Sequence, residues 1–197
     1  MTINAKIGSF EYEQQRARNI GQWPAIILGA FTASQGVLPA GLLLTKASGG
    51  YEPYKAVAAE AVGIGTGSVK AYTKTLASLP ICPGTVVVSD GVETFADDGL
   101  GRLVGSAGGT GTIYYATGAL AVSFNANVVN TTPITANYET ALDAILDEDL
   151  DTAVSLAAPV ILAGPVTQGV LKVGASAKVA PSAALLARLR KQHLYAV

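Results

Sequence analysis

The sequence predicts a mainly β (α+β) protein that closes with a single C-terminal helix. Three observations carry that prediction. Between about residues 60 and 140, short runs of strand-forming residues alternate with tight-turn signals, and no stretch there has a helical period. Glycine accounts for 22 of 197 residues while only 14% of residues are charged, a composition that suits many turns and extensive burial. Strong helix formers follow one another after Pro181-Ser182, where proline and serine favour a helix start. The length allows one large domain or two small ones.

Taken in chain order, residues 1–22 read as an N-terminal arm. Ile3, Ile7, Phe10 and Tyr12 are thinly spaced in it, and Lys6, Arg16 and Arg18 face Glu11 and Glu13 in composition. With no sustained stripe, an extended arm that orders against a partner is expected, and a frayed terminus with no such role fits equally. Trp23 is an interface candidate, because tryptophan often anchors interfaces; an ordinary core position fits it equally. From Pro24 to Phe31 the chain is apolar, and Gly41, Leu42-Leu-Leu-Thr45 and Ser48-Gly49-Gly50 then read as strand, turn, strand. Lys70–Ala77 alternates as a strand. Thr85–Ser89 and Val92–Phe95 form a hairpin across Asp90-Gly91, whose residues favour positive φ. Gly111–Ala116 and Ala119–Phe124 form another across Thr117-Gly118, with Leu120, Val122 and Phe124 on one face. Ile134, Ala136 and Tyr138 are likewise in phase after Pro133.

The last part differs in charge. Glu139, Asp143, Asp147, Glu148, Asp149 and Asp151 occur without a basic residue among them, whereas Thr152 to the end carries basic residues only. Val160–Ala163 and Val170–Val173 read as two strands. The segment 140–150 fits a helix capped at Thr140 or a strand through Ile145-Leu146. In the C-terminal helix Leu185, Leu186 and Leu189 make the buried stripe, and the basic side chains gather at the negative end of the helix dipole.

Chemistry-bearing motifs are scarce. One cysteine, Cys82, permits no intramolecular disulfide, and one histidine, His193, permits no paired-histidine metal motif. GIGTG at 63–67 lacks the spacing of a dinucleotide or phosphate loop. Asp90, Asp97 and Asp98 lack calcium-loop spacing and read as turn residues. No nucleophile–base pair stands out, so no enzyme, cofactor or metal is expected. A net charge of −1 lacks the basic footprint of nucleic-acid binding. The longest apolar stretches are too short to span a bilayer, and the first residues lack a secretory core, so a soluble protein made in a reducing cytoplasm is expected.

Two separated parts of the chain carry a resemblance. Gly36-Val-Leu-Pro-Ala-Gly41-Leu-Leu-Leu-Thr-Lys46 followed by Gly50-Tyr51-Glu-Pro53-Tyr54 resembles the opening of the lambda-type bacteriophage head decoration proteins. Ala144-Ile-Leu-Asp147-Glu-Asp-Leu-Asp151 is similar to that family's Ile-Leu strand and acidic turn. Ala158–Val166 with Gln168-Gly-Val-Leu171 is similar to its two-strand element, and Leu186–Tyr195 to its terminal helix and closing tyrosine. The resemblance covers roughly 25–58 and 140–197. The stretch between departs from the family and resembles a β module of phage structural proteins.

The resemblance implies a small decoration-protein β fold, residues 23–59 and 140–197, interrupted by an inserted antiparallel β-sandwich-like domain at 60–139. It also implies a structural virion protein on the outer surface of the capsid, made in the host cytoplasm. Such a protein binds the major capsid protein and itself, as homotrimers at local three-fold axes, and cements the expanded head. The arm, through Ile3, Ile7, Phe10, Tyr12, Arg16 and Arg18, is the expected capsid contact. The alternative is a phage tail or surface adhesin whose inserted domain binds a host glycan or receptor.

Overall fold

The computed structural model describes Ala17, residues 24–174 and residues 178–197. The first strands are β1 (Ala25–Ala30), β2 (Val37–Leu38), β3 (Leu43–Ala47) and β4 (Gly50–Pro53). Eight more follow: β5 (Ala56–Ile64), β6 (Ala71–Thr75), β7 (Val87–Ser89), β8 (Thr94–Asp97), β9 (Arg102–Gly105), β10 (Thr110–Tyr114), β11 (Ala119–Ser123) and β12 (Pro133–Glu139). The chain ends with β13 (Ala144–Leu146), β14 (Leu150–Asp151), β15 (Ala157–Val166), helix α1 (Ala183–Lys191) and β16 (Leu194–Ala196). The protein is mainly β with one α-helix among the described residues, as the sequence predicts.

The strands fall into two main sheets drawn from different stretches of chain. One has the order β1-β15-β13-β3-β4, with β16 parallel to the far end of β15. The other has the order β5-β12-β7-β8-β9-β10-β11-β6 and contains only strands from Ala56 to Glu139. The chain passes between them twice, side by side: the Thr140 amide donates to the Lys55 carbonyl at 2.9 Å and the Lys55 amide to Thr140 Oγ1 at 2.9 Å. We call the first sheet with its helix the base and the second the insertion.

Leu42, Leu43 and Leu44 are all buried, although β-strand side chains alternate. The base sheet is covered on both faces. Leu43 packs with Ile145, Ile161, Leu185, Leu189 and Leu194 beneath the helix, while Leu42 and Leu44 pack with Phe31, Tyr51, Leu146 and Val160 on the other face. A strand buried on both faces reads as a continuous apolar run. Gly41 turns the chain into it at φ +80°, where a Cβ would lie 2.1 Å from the Val170 carbonyl oxygen.

The expected sandwich-like insertion takes the form of a single sheet curled until its end strands approach each other. At the seam a Cβ on Gly63 of β5 would lie 3.0 Å from the Tyr72 ring of β6. Leu120, Val122 and Phe124 point inward, as do Ile134, Ala136 and Tyr138. Phe124 meets Phe95 edge-on at 4.9 Å between ring centres and Tyr72 at 5.9 Å, a geometry aromatic pairs prefer.

Some elements differ from the sequence reading, and one left open between helix and strand is decided. Strand β5 is unforeseen, because its Ala-rich sequence carries little strand propensity; pairing with β12 imposes the conformation, and Asn137 Oδ1 accepts from the Ala59 amide at 2.7 Å where the ladder slips. Val170–Val173 is not a strand but the end of a 3₁₀ turn with isolated bridges to Leu42 and Val179. The segment 140–150 resolves into β13 and β14. Both hairpins exist, but Ser89 pairs with Thr94 and Tyr114 with Ala119, so each loop has four residues. In the first loop only Gly91 has positive φ, while Asp90 Oδ1 accepts from the Val92 and Glu93 amides.

Candidate functional site

The expected arm contacts Ile3, Ile7, Phe10, Tyr12, Arg16 and Arg18, and the interface candidate Trp23, lie outside the described residues. Ala17 is described and fully buried. Its amide donates to the Asp147 carbonyl at 2.9 Å, and its carbonyl accepts from the Thr167 amide at 2.8 Å. At this position the chain belongs to the packing of the base.

The most unusual surface is at one end of the base. The sequence carries no charged side chain from Asn19 to Thr45 and none from Thr152 to Leu171. The fold brings these two stretches together. Strand β1 pairs with β15 through Ala30 and Ala157, the Phe31 amide donates to the Leu156 carbonyl at 2.9 Å, and Val37 pairs with Asp151. Leu28 is 75% exposed, Val37 60% and Val154 84%, with Ile27 and Leu156 also exposed. The loop that presents Val154 is well fixed: the Thr152 hydroxyl donates to the Gly36 carbonyl at 2.9 Å, and Asp151 Oδ1 accepts from the Ala153 amide. Charge does lie beside it, since Val37 pairs with Asp151 and the Lys178 ammonium donates to the Val37 carbonyl at 2.9 Å; the large exposed apolar side chains themselves are of the kind that interface cores use.

The acidic run also has a structural use. Asp149 Oδ1 accepts from the Ala40 amide at 2.7 Å and Asp143 Oδ2 from the Lys46 amide at 2.8 Å, so both tie the turns flanking β3. Glu139 sits where the chain leaves the insertion. It accepts from the Tyr54 hydroxyl at 2.5 Å and from Arg188 of α1, so one carboxylate joins the helix to the crossing. Cys82, half-buried nearby, has its thiol pushed up by burial.

Two further phenol–carboxylate pairs lie in the insertion. Tyr138 donates to Glu60 at 2.5 Å and Tyr115 to Asp97 at 2.7 Å. Burial first, and the carboxylate second, raises all three phenols, with Tyr115 pushed up to about 12. The unfolded chain ionises these phenols near their ordinary value of about 10, while the folded chain holds them protonated. Their contribution to stability is therefore intact below about pH 10 and is lost as pH rises through the folded values. An alkaline absorbance titration should show Tyr54, Tyr115 and Tyr138 ionising late among the eight tyrosines, together with unfolding.

The turn reading of the aspartates holds. Asp97 accepts from the Gly84 and Gly99 amides, and Asp98 from Leu100 and Arg102, whose bonds hold its carboxyl below the ordinary range. Among the described residues no group of three or more His, Cys, Asp or Glu side chains is placed to hold a metal ion. His193 is exposed at the end of α1, 3.5 Å from the Tyr195 hydroxyl. A cleft of about 650 Å³ lies where the two sheets meet, lined by Thr45, Lys46, Lys55, Ser78, Leu79 and Ala116 among others; Lys55 is paired there with Glu52 at 3.3 Å. Among the described residues no helix is long and apolar enough to cross a membrane.

The sequence reading missed Glu93, whose side chain is only 3% exposed. Its Oε1 accepts from the Gly109 and Ala107 amides at 2.7 and 3.2 Å, and its Oε2 from the Asn125 amide at 2.8 Å. One carboxylate thus gathers the β7–β8, β9–β10 and β11–β12 loops. No family model matches the chain, and no curated protein or solved structure matches it.

Proposed function

We propose that this chain is a structural virion protein that binds the outside of a bacteriophage capsid as trimers at local three-fold axes and cements the expanded head. The observation that carries the reading is the apolar end of the base, where Leu28, Val37 and Val154 are exposed on two stretches of sequence that themselves carry no charged side chain. Exposed apolar side chains gathered in this way mark surfaces that meet other proteins. The parts of the sequence that resemble lambda-type decoration proteins are the parts that build this base. Three copies acting together convert modest contacts into lasting attachment. The insertion leaves and re-enters the base through adjacent strands, so it adds a module without interrupting the base sheet.

The test is the copy number of the chain in purified particles, relative to the major capsid protein. The expected result is a ratio near one to one, which follows from coverage of the whole lattice. A ratio far below that overturns lattice decoration and favours the tail or surface adhesin. Absence from particles overturns both.

A further inference from the structure

We propose that the outer face of β9, β10, β11 and β6 is a binding trough for an uncharged oligosaccharide. Three depressions of about 550, 420 and 550 Å³ lie on this face, and Thr112 lines all of them. They therefore adjoin one another at Thr112, and together they make a shallow trough across the strands. Four strands at about 4.8 Å spacing give it a width of roughly 14 Å, room for about three sugar rings.

The register explains its shape. Ala121 of β11 pairs with Thr73 of β6 on one side and Thr112 of β10 on the other. Ala119 pairs with Thr75 and with Tyr114 in the same way. The outward positions of β11 are small, so a ligand can approach the backbone between two hydroxyl-bearing walls. Each threonine hydroxyl both donates and accepts, which matches the hydroxyl groups of a polyol. At one end the Tyr114 ring is 68% exposed, although it has inward-facing neighbours on either side in the strand. An exposed ring face suits the C–H face of a sugar.

The charge on this face selects the ligand class. No carboxylate lines the three depressions. Arg102, on the β9 wall, is paired with Asp98 at 3.3 Å, which offsets its charge. A solvated outer sheet face ordinarily carries many long charged side chains, whereas apart from Arg102 and Lys74 the lining here is mainly hydroxyls, small or aliphatic groups and the exposed Tyr114 ring. These features fit a neutral glycan better than an acidic polymer or a protein surface.

The experiment applies the purified full chain, without capsids, to an array of neutral tri- and tetrasaccharides: glucans, galactans, mannans and N-acetylhexosamine oligomers. The expected result is retention of at least one of them, lowered at least tenfold by Tyr114→Ala and by Ala121→Tyr. The second variant fills the trough at an exposed strand position where tyrosine is a good strand former, so its melting temperature should match the parent's. Retention of no neutral glycan, or retention unchanged by Ala121→Tyr, overturns the proposal. Retention of acidic glycans alone, abolished by salt, also overturns it and assigns the face to electrostatic contact. Because no capsid is present, these outcomes are independent of the copy number that tests the decoration reading.

Discussion

Replacing Glu93 by alanine is expected to lower the stability of the insertion by about 3–5 kcal/mol. The carboxylate accepts three backbone hydrogen bonds in a place closed to water. Removing it leaves those amides without their acceptor, and each buried unsatisfied donor costs about 1–3 kcal/mol. The site cannot collapse to compensate. A Cβ on Gly105 would lie 2.2 Å from Glu93 Oε1, and one on Gly109 would lie 2.7 Å from the same atom and 2.7 Å from the Ser123 carbonyl oxygen. The two glycines are thus bare because the carboxylate occupies their side-chain space, and Gly109→Ala should cost a similar amount by clash. Glu93→Gln is expected to fall between, since its amide group turns a donor toward at least one backbone donor. In a unit of this size 1 kcal/mol shifts Tm by about 4–8 °C, so thermal melting followed by circular dichroism reads the effect. Amide exchange should localise it to the loops around residues 90, 107 and 125. A drop smaller than about 5 °C would mean that the loops hold one another without the carboxylate.

Glu93 was legible in principle. It shares parity with Phe95 two residues on, so a strand that buries the Phe95 ring also turns Glu93 inward. A glutamate on an inward face signals a buried network, and only the distant partners, Gly109 and Asn125, were hidden from the sequence. The same parity rule located Leu120, Val122 and Phe124, and Ile134, Ala136 and Tyr138, without error. The helix was legible through Ser182, whose hydroxyl accepts from the Leu185 amide as an N-cap does. Strand β5 was not, because Ala56–Ile64 contains few residues that favour a strand, and its conformation is fixed by β12 some 75 residues away. The apolar surface lay in plain sight as two charge-free stretches. Sequence could not show that they meet, since that depends on β1 pairing with β15.

Charge placed on that surface separates a structural role from an attachment role. Leu28→Asp and Val154→Asp alter side chains that are largely in water, and such substitutions ordinarily change stability by less than about 0.5 kcal/mol. The variant chain should therefore melt as the parent does. Against a capsid or a neighbouring copy, however, each aspartate would enter the apolar part of an interface. An uncompensated charge buried at an interface costs several kcal/mol, and each step of about 1.4 kcal/mol is a factor of ten in affinity. If three copies share the attachment, as the proposed function has it, the loss compounds. The double variant is expected to bind heads lacking this chain at least a hundredfold more weakly in co-sedimentation. Val92→Asp is the control: Val92 is as exposed as Val154 but lies on a loop of the insertion, and its variant should saturate heads like the parent. If Val92→Asp abolished binding while the double variant saturated heads, the insertion and not the base would face the capsid. If both saturated heads, the exposed apolar end would have no part in attachment, and the decoration reading would lose the observation it stands on.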